Sequence, residues 1–95
     1  MQANFVQVIE TYPKSFGFSE ALARLKKGEA VYNGNWNGKG MYLNVQFPDS
    51  NSKMSEPYIY MVTSKKTRVP WLASQQDLFS SAWQVADLHY KTQGQ

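Results

Sequence analysis

Cysteine is absent from the 95 residues. That removes disulfide scaffolds, thiolate zinc sites and cysteine nucleophiles together. Histidine occurs once, at His89, so neither a histidine metal cluster nor a paired-histidine zinc helix can be built. No stretch approaches the roughly 18 apolar residues of a membrane span. Met1-Gln2-Ala3-Asn4-Phe5 lacks the basic start and long apolar run of a signal peptide. The expectation is a soluble protein that stays where it is made. Charge of one sign is thin as well. Ten Lys+Arg against seven Asp+Glu give +3, which favours anions weakly but falls short of the dense basic stripe of a duplex-DNA binder.

Aromatic residues are plentiful instead: 3 Trp, 6 Tyr and 5 Phe, or 15% of the chain. They build a small core from few large pieces, and they also serve interfaces and pockets that stack flat ligands. The length fits one domain, and a chain this short buries only about 60–65% of its unfolded surface.

The first clear element is a helix. Ser19 reads as its N-cap, Glu20 sits in the first turn, and Phe18, Leu22 and Leu25 form one stripe filled by Ala21. Glu20 and Arg24 are spaced for an i,i+4 ion pair, and Gly28 follows Lys26-Lys27 where a C-cap belongs. Upstream, the β-branched run Asn4–Thr11 reads as a strand or an extension. Downstream the pattern changes to strands over Glu29–Tyr32, Met41–Phe47, Tyr58–Ser64, Arg68-Val69 and Trp83–Ala86. Asn33-Gly34 marks a tight turn, and Ser74-Gln75-Gln76-Asp77 opens a short helix to about Ser80. The fold class is therefore α+β: one N-terminal amphipathic helix on a small antiparallel sheet of four or so strands, with a second helix near 75–80. The organisation is an extension over 1–17, one domain over 18–87 and a polar tail over 88–95. A single helix covers little of a sheet, which is a reason to expect a homo-oligomer.

Catalytic signals are weak. Glu20, Glu29, Asp77 and Asp87 are joined by no motif, and two of them are explained as helix-start residues. Gly34-Asn35-Trp36-Asn37-Gly38-Lys39-Gly40 lacks P-loop spacing. It is either a strand-joining turn or a backbone cradle in which Lys39 supplies charge to an anion. A second anion candidate is the helix start after Ser74, where Asp77 would repel a bare phosphate and suits ribose hydroxyls or a cap. Lys65-Lys66-Thr67-Arg68 is a basic turn that reads as a solvated hairpin tip. Trp83 lies within a strand pattern, as a core residue does. Trp36 and Trp71 sit at loop boundaries, where stacking or interface roles compete with core packing. Aromatic faces, glycine backbone, one or two cations and a carboxylate suit a nucleotide-like ligand.

The order of Phe18-Ser19-Glu20-Ala21-Leu22, Trp36-Asn37-Gly38-Lys39-Gly40-Met41-Tyr42-Leu43, Val69-Pro70-Trp71-Leu72-Ala73-Ser74-Gln75-Gln76-Asp77-Leu78 and Trp83 resembles a small phage and prophage family, the Thoeris anti-defence proteins. The resemblance covers about Phe18–Asp87. It implies a non-catalytic sponge that binds a cyclic ADP-ribose isomer, of the glycocyclic type, made by a bacterial TIR-domain enzyme. It implies a homotetramer with ligand pockets between subunits, no cofactor, no membrane or duplex nucleic acid partner, and action in the cytoplasm of the infected bacterium. Some relatives take cyclic oligonucleotides. Carried over by position, Trp36, Asn37, Gly38, Met41 and Tyr42 line one side of the pocket and Trp71, Ser74, Gln75 and Asp77 the other, with Lys39 and Arg68 as phosphate contacts. Two other readings stay open: an enzyme that degrades such a signal, and a small toxin or inhibitor of a host protein.

Overall fold

The computed structural model describes residues 15–87. The strand expected over Asn4–Thr11 and the tail with His89 lie outside the described residues. Helix α1 spans Phe18–Lys26. Strands follow at β1 (Val31–Asn33), β2 (Tyr42–Gln46), β3 (Tyr58–Val62) and β4 (Arg68–Pro70). A short helix, α2, covers Gln75–Phe79, and β5 covers Trp83–Val85. The fold is thus α+β as expected, with five strands among the described residues where four or so were expected. Every pairing is antiparallel and the sheet order is β4-β3-β2-β1-β5. No described helix is long and apolar enough to cross a membrane.

The N-cap of α1 is Gly17, not Ser19, and no side chain caps it. The reason is tertiary. Phe16 exchanges two backbone hydrogen bonds with Trp83, at 2.9 and 3.0 Å, so the chain is extended up to Gly17. The Gly17 carbonyl then accepts the Ala21 N–H to start the helix. The other end follows the sequence. Glu29 N–H reaches the Arg24 carbonyl and Gly28 N–H the Leu25 carbonyl, the paired bonds of a Schellman stop. Gly28 has φ +95°, which a side chain would resist. On the solvent side Arg24 pairs with Glu20 at 2.8 Å and Glu29 at 3.1 Å, and its guanidinium lies 4.9 Å from the Phe16 ring centroid. Hydrogen bonds that Arg24 donates to Glu20 first, then to Glu29, raise its pKa above the ordinary value.

Strand alternation gives the sheet two unlike faces. Val31, Leu43, Val45, Ile59, Met61 and Trp83 face α1, where they meet Ala21 and Leu25. Trp83, Leu25, Leu43 and Val31 are fully buried. Register places Tyr32 opposite Gln84, Asn44 opposite Tyr60, Gln46 opposite Tyr58 and Arg68 opposite Val62 on the other face. There the Tyr32 hydroxyl donates to Gln84 Oε1 at 2.9 Å. The chain leaves β4 at one edge and crosses the inner side, through Trp71 and α2, to add β5 at the opposite edge. That crossover assembles the site.

Candidate functional site: an indole cluster between two clefts

Trp83 is the hub. Trp36 meets it at 5.4 Å between ring centroids with an interplanar angle of 82°, and Trp71 at 6.1 Å and 90°. Phe18 closes the group, 5.5 Å from Trp83 and 6.0 Å from Trp71. Edge-to-face packing suits the aromatic quadrupole. The core role expected for Trp83 holds in the structure. Trp36 and Trp71 are half-buried: each leans on the core with one side and keeps another side open.

Local turn chemistry delivers Trp36. The Asn33 side chain, 3% exposed, accepts the Asn35 N–H at 2.8 Å, and the Asn33 carbonyl accepts the Trp36 N–H at 3.1 Å. The Asn33-Gly34 turn therefore bends the chain back and drops the indole onto Trp83. The Ser-x-x-Asp reading of the second helix also holds. Ser74 Oγ accepts the Asp77 N–H at 3.0 Å and Asp77 Oδ2 accepts the Ser74 N–H at 2.9 Å, a complete capping box. The other carboxylate oxygen, Oδ1, accepts the Trp36 indole N–H at 3.1 Å. The Asp77 carbonyl accepts the Trp83 indole N–H at 2.9 Å.

Two open clefts border the cluster. One, of about 450 Å³, lies between Trp36 and α2 and is lined by Asn33, Asn35, Gln76, Asp77 and Phe79 among others. Its polar groups are mostly neutral amides, suited to hydroxyls and base edges. The other, of about 620 Å³, lies beside Trp71 and β4, with Tyr58, Tyr60, Gln46, Met54 and Arg68 on its walls. It offers aromatic faces and one guanidinium. Both volumes fall in the range of small-ligand pockets.

Of the residues singled out in the sequence, the structure brings Trp36, Ser74 and Asp77 together, and it joins Arg68 to Trp71 at the second cleft. Asn37, Lys39 and Gln75 are exposed. Gly38 lies under the Met41 side chain, where an added Cβ would stand 2.7 Å from the Met41 sulfur. Tyr42 follows the strand alternation onto the sheet face opposite its neighbour Leu43, away from Trp36 within one copy. Sequence reasoning missed Asn33, Asn35, Gln76 and Phe79 at the first cleft, and Tyr58 and Tyr60 at the second. Period-two alternation in β3 was the available signal for the tyrosines. Phe79 had a signal too, since it ends a helix too short to bury it and is 85% exposed.

The geometry meets its relatives here. The Thoeris anti-defense 2-like domain matches residues 16–86, from the Phe16–Trp83 bridge to the Ala86 N–H held by the Ala30 carbonyl. Thoeris anti-defense 2 of Bacillus phage SP01 is 31% identical over 81 residues, covering 72% of this chain and 91% of that protein. By this match, over most of its length and the whole described sheet, the chain belongs to the Thoeris anti-defense 2-like family.

Proposed function

We propose that this protein inhibits Thoeris anti-phage defence by sequestering its cyclic ADP-ribose-type signal, a glycocyclic isomer, without turning it over. Family membership supports the anti-defence part of this reading. The observation that carries the binding part is the pair of open-sided indoles. Trp36 and Trp71 are each fixed edge-to-face on Trp83 and border clefts rich in hydrogen-bonding groups. An indole held from behind loses little freedom when a base stacks on its front, which is what tight capture needs. In this reading Asn37, Gly38, Met41, Ser74 and Gln75 add contacts to the ligand once a neighbouring copy completes the clefts. Lys39 and Arg68 neutralise the two phosphates.

The working assembly in this reading is a homotetramer whose clefts are completed by a neighbouring copy. Leu72 and Phe79, 91% and 85% exposed beside the clefts, are the apolar surface it would cover. Tyr42, on the outer sheet face, reaches a ligand held by the next copy. The site of action is the cytoplasm of the infected bacterium, with no cofactor.

The deciding experiment is to incubate the protein with a glycocyclic ADP-ribose isomer, remove unbound ligand, denature, and weigh what is released. Stoichiometric release at unchanged mass is expected. A changed mass makes the protein a degrading enzyme, and no retained ligand ends the sequestration reading. Native mass spectrometry of the same sample reads the number of copies.

A further inference from the structure

We propose that Asp77 is a positioning residue for Trp36, holding the indole in its ligand-facing orientation without touching the ligand. The proposal rests on the reading above, in which Trp36 faces the ligand. All four polar atoms of Asp77 are engaged within the chain. The N–H donates to Ser74 Oγ at 3.0 Å, the carbonyl accepts the Trp83 indole at 2.9 Å, Oδ2 accepts the Ser74 N–H at 2.9 Å, and Oδ1 accepts the Trp36 indole at 3.1 Å. Residue 77 thus ties two indoles, 41 and 6 residues away, to one turn of helix.

The physical consequence is orientation. Packing on Trp83 alone leaves the Trp36 ring free to swing about its contact edge. A charge-assisted hydrogen bond to the indole N–H fixes that remaining angle. The anchor is rigid because the carboxylate's second oxygen is locked in the capping box. The indole face toward Asn35 and Gln76 is therefore set before any ligand arrives, the arrangement that lowers the ordering cost of binding. A ribose hydroxyl at Asp77 would have to share oxygens already committed to this clasp.

The test uses the full chain, 15N-labelled, with the three indole N–H signals assigned through Trp36→Phe and Trp71→Phe. In the wild type, the Trp36 and Trp83 indole protons should exchange with water slowly. Asp77→Ala should speed Trp36 exchange at least about tenfold, the order expected for losing a bond to a charged acceptor. It should leave Trp83, bonded to the backbone, protected. Ser74→Ala removes the cap hydroxyl but not the carboxylate, and should leave Trp36 protected even if the melting temperature falls. With a glycocyclic ADP-ribose isomer as the probe, Asp77→Ala should weaken binding about tenfold in the wild-type background and not at all in the Trp36→Phe background.

Three results overturn the proposal: fast Trp36 exchange in the wild type, which needs no variant to fold; an undiminished Asp77→Ala loss when Trp36 is Phe, which means direct ligand contact; and an equal loss in Ser74→Ala, which means the helix cap alone matters. If the wild type binds no probe, the sequestration reading falls, and the exchange measurements still decide the clasp.

Discussion

The two faces of the sheet follow different rules. The inner face is aliphatic and indole, closed by α1, with Leu43, Val31 and Trp83 fully buried. The outer face carries Tyr32, Tyr42, Tyr58 and Tyr60 interleaved with Asn44, Gln46, Gln84 and Arg68. The first is a core. The second buries only Val62 among the described residues, is rich in tyrosine and carries no acidic side chain on the described strands. A chain with so little core cannot hold many aromatics inside, so those that must stay accessible are set on the other face or at the rim. The second cleft lies where the two regimes meet, with Trp71 and Ile59 beside Tyr58, Tyr60 and Arg68, whereas the first lies between Trp36 and α2.

The sharpest way to break this contrast is Trp83→Ala. Removing the fully buried hub should cost about 3–5 kcal/mol of unfolding free energy by denaturant titration. A cost under about 1 kcal/mol would mean the inner face is not the core. The rim indoles should answer differently. In calorimetry Trp36→Ala or Trp71→Ala should weaken binding of a glycocyclic ADP-ribose isomer by about 1–3 kcal/mol, the range for lost base stacking. Unchanged affinity in both would reduce the rim to packing. The smallest effect is expected on the outer face, where Gln46→Ala should change the unfolding free energy by no more than about 0.5 kcal/mol. A larger loss there would show the outer face contributing to the fold of one copy.

What could be read in the sequence was mostly local. Ser74 and Asp77 are three residues apart, and the capping box forms from those residues alone. Gly28 ends α1 for a reason within one turn. Ser19 misled because the true start of the helix is set by Phe16 pairing with Trp83, a partner 67 residues on that no local pattern announces. The same limit hid the clasp. The Trp36–Asp77 bond exists because the crossover carries α2 back past the β1–β2 loop, which depends on β5 choosing the far edge of the sheet. Residue types at the site were legible from aromatic and amide composition. Their grouping into two clefts was not, since Tyr42 and Trp36 are near in sequence yet separated by the alternation of one strand.

The bridge between Phe16 and Trp83 also dictates when the molecule can become itself. Nearly the whole described length must be made before Phe16 and β5 meet, so this contact is among the most non-local of the described residues and carries a large loop-closure cost. During synthesis Ala21 and Leu25 lack the one fully buried indole of their cluster until Trp83 has been made. The chain gains its cooperative fold only once β5 has been made, and a copy truncated before β5 would be expected to stay unfolded rather than work in part.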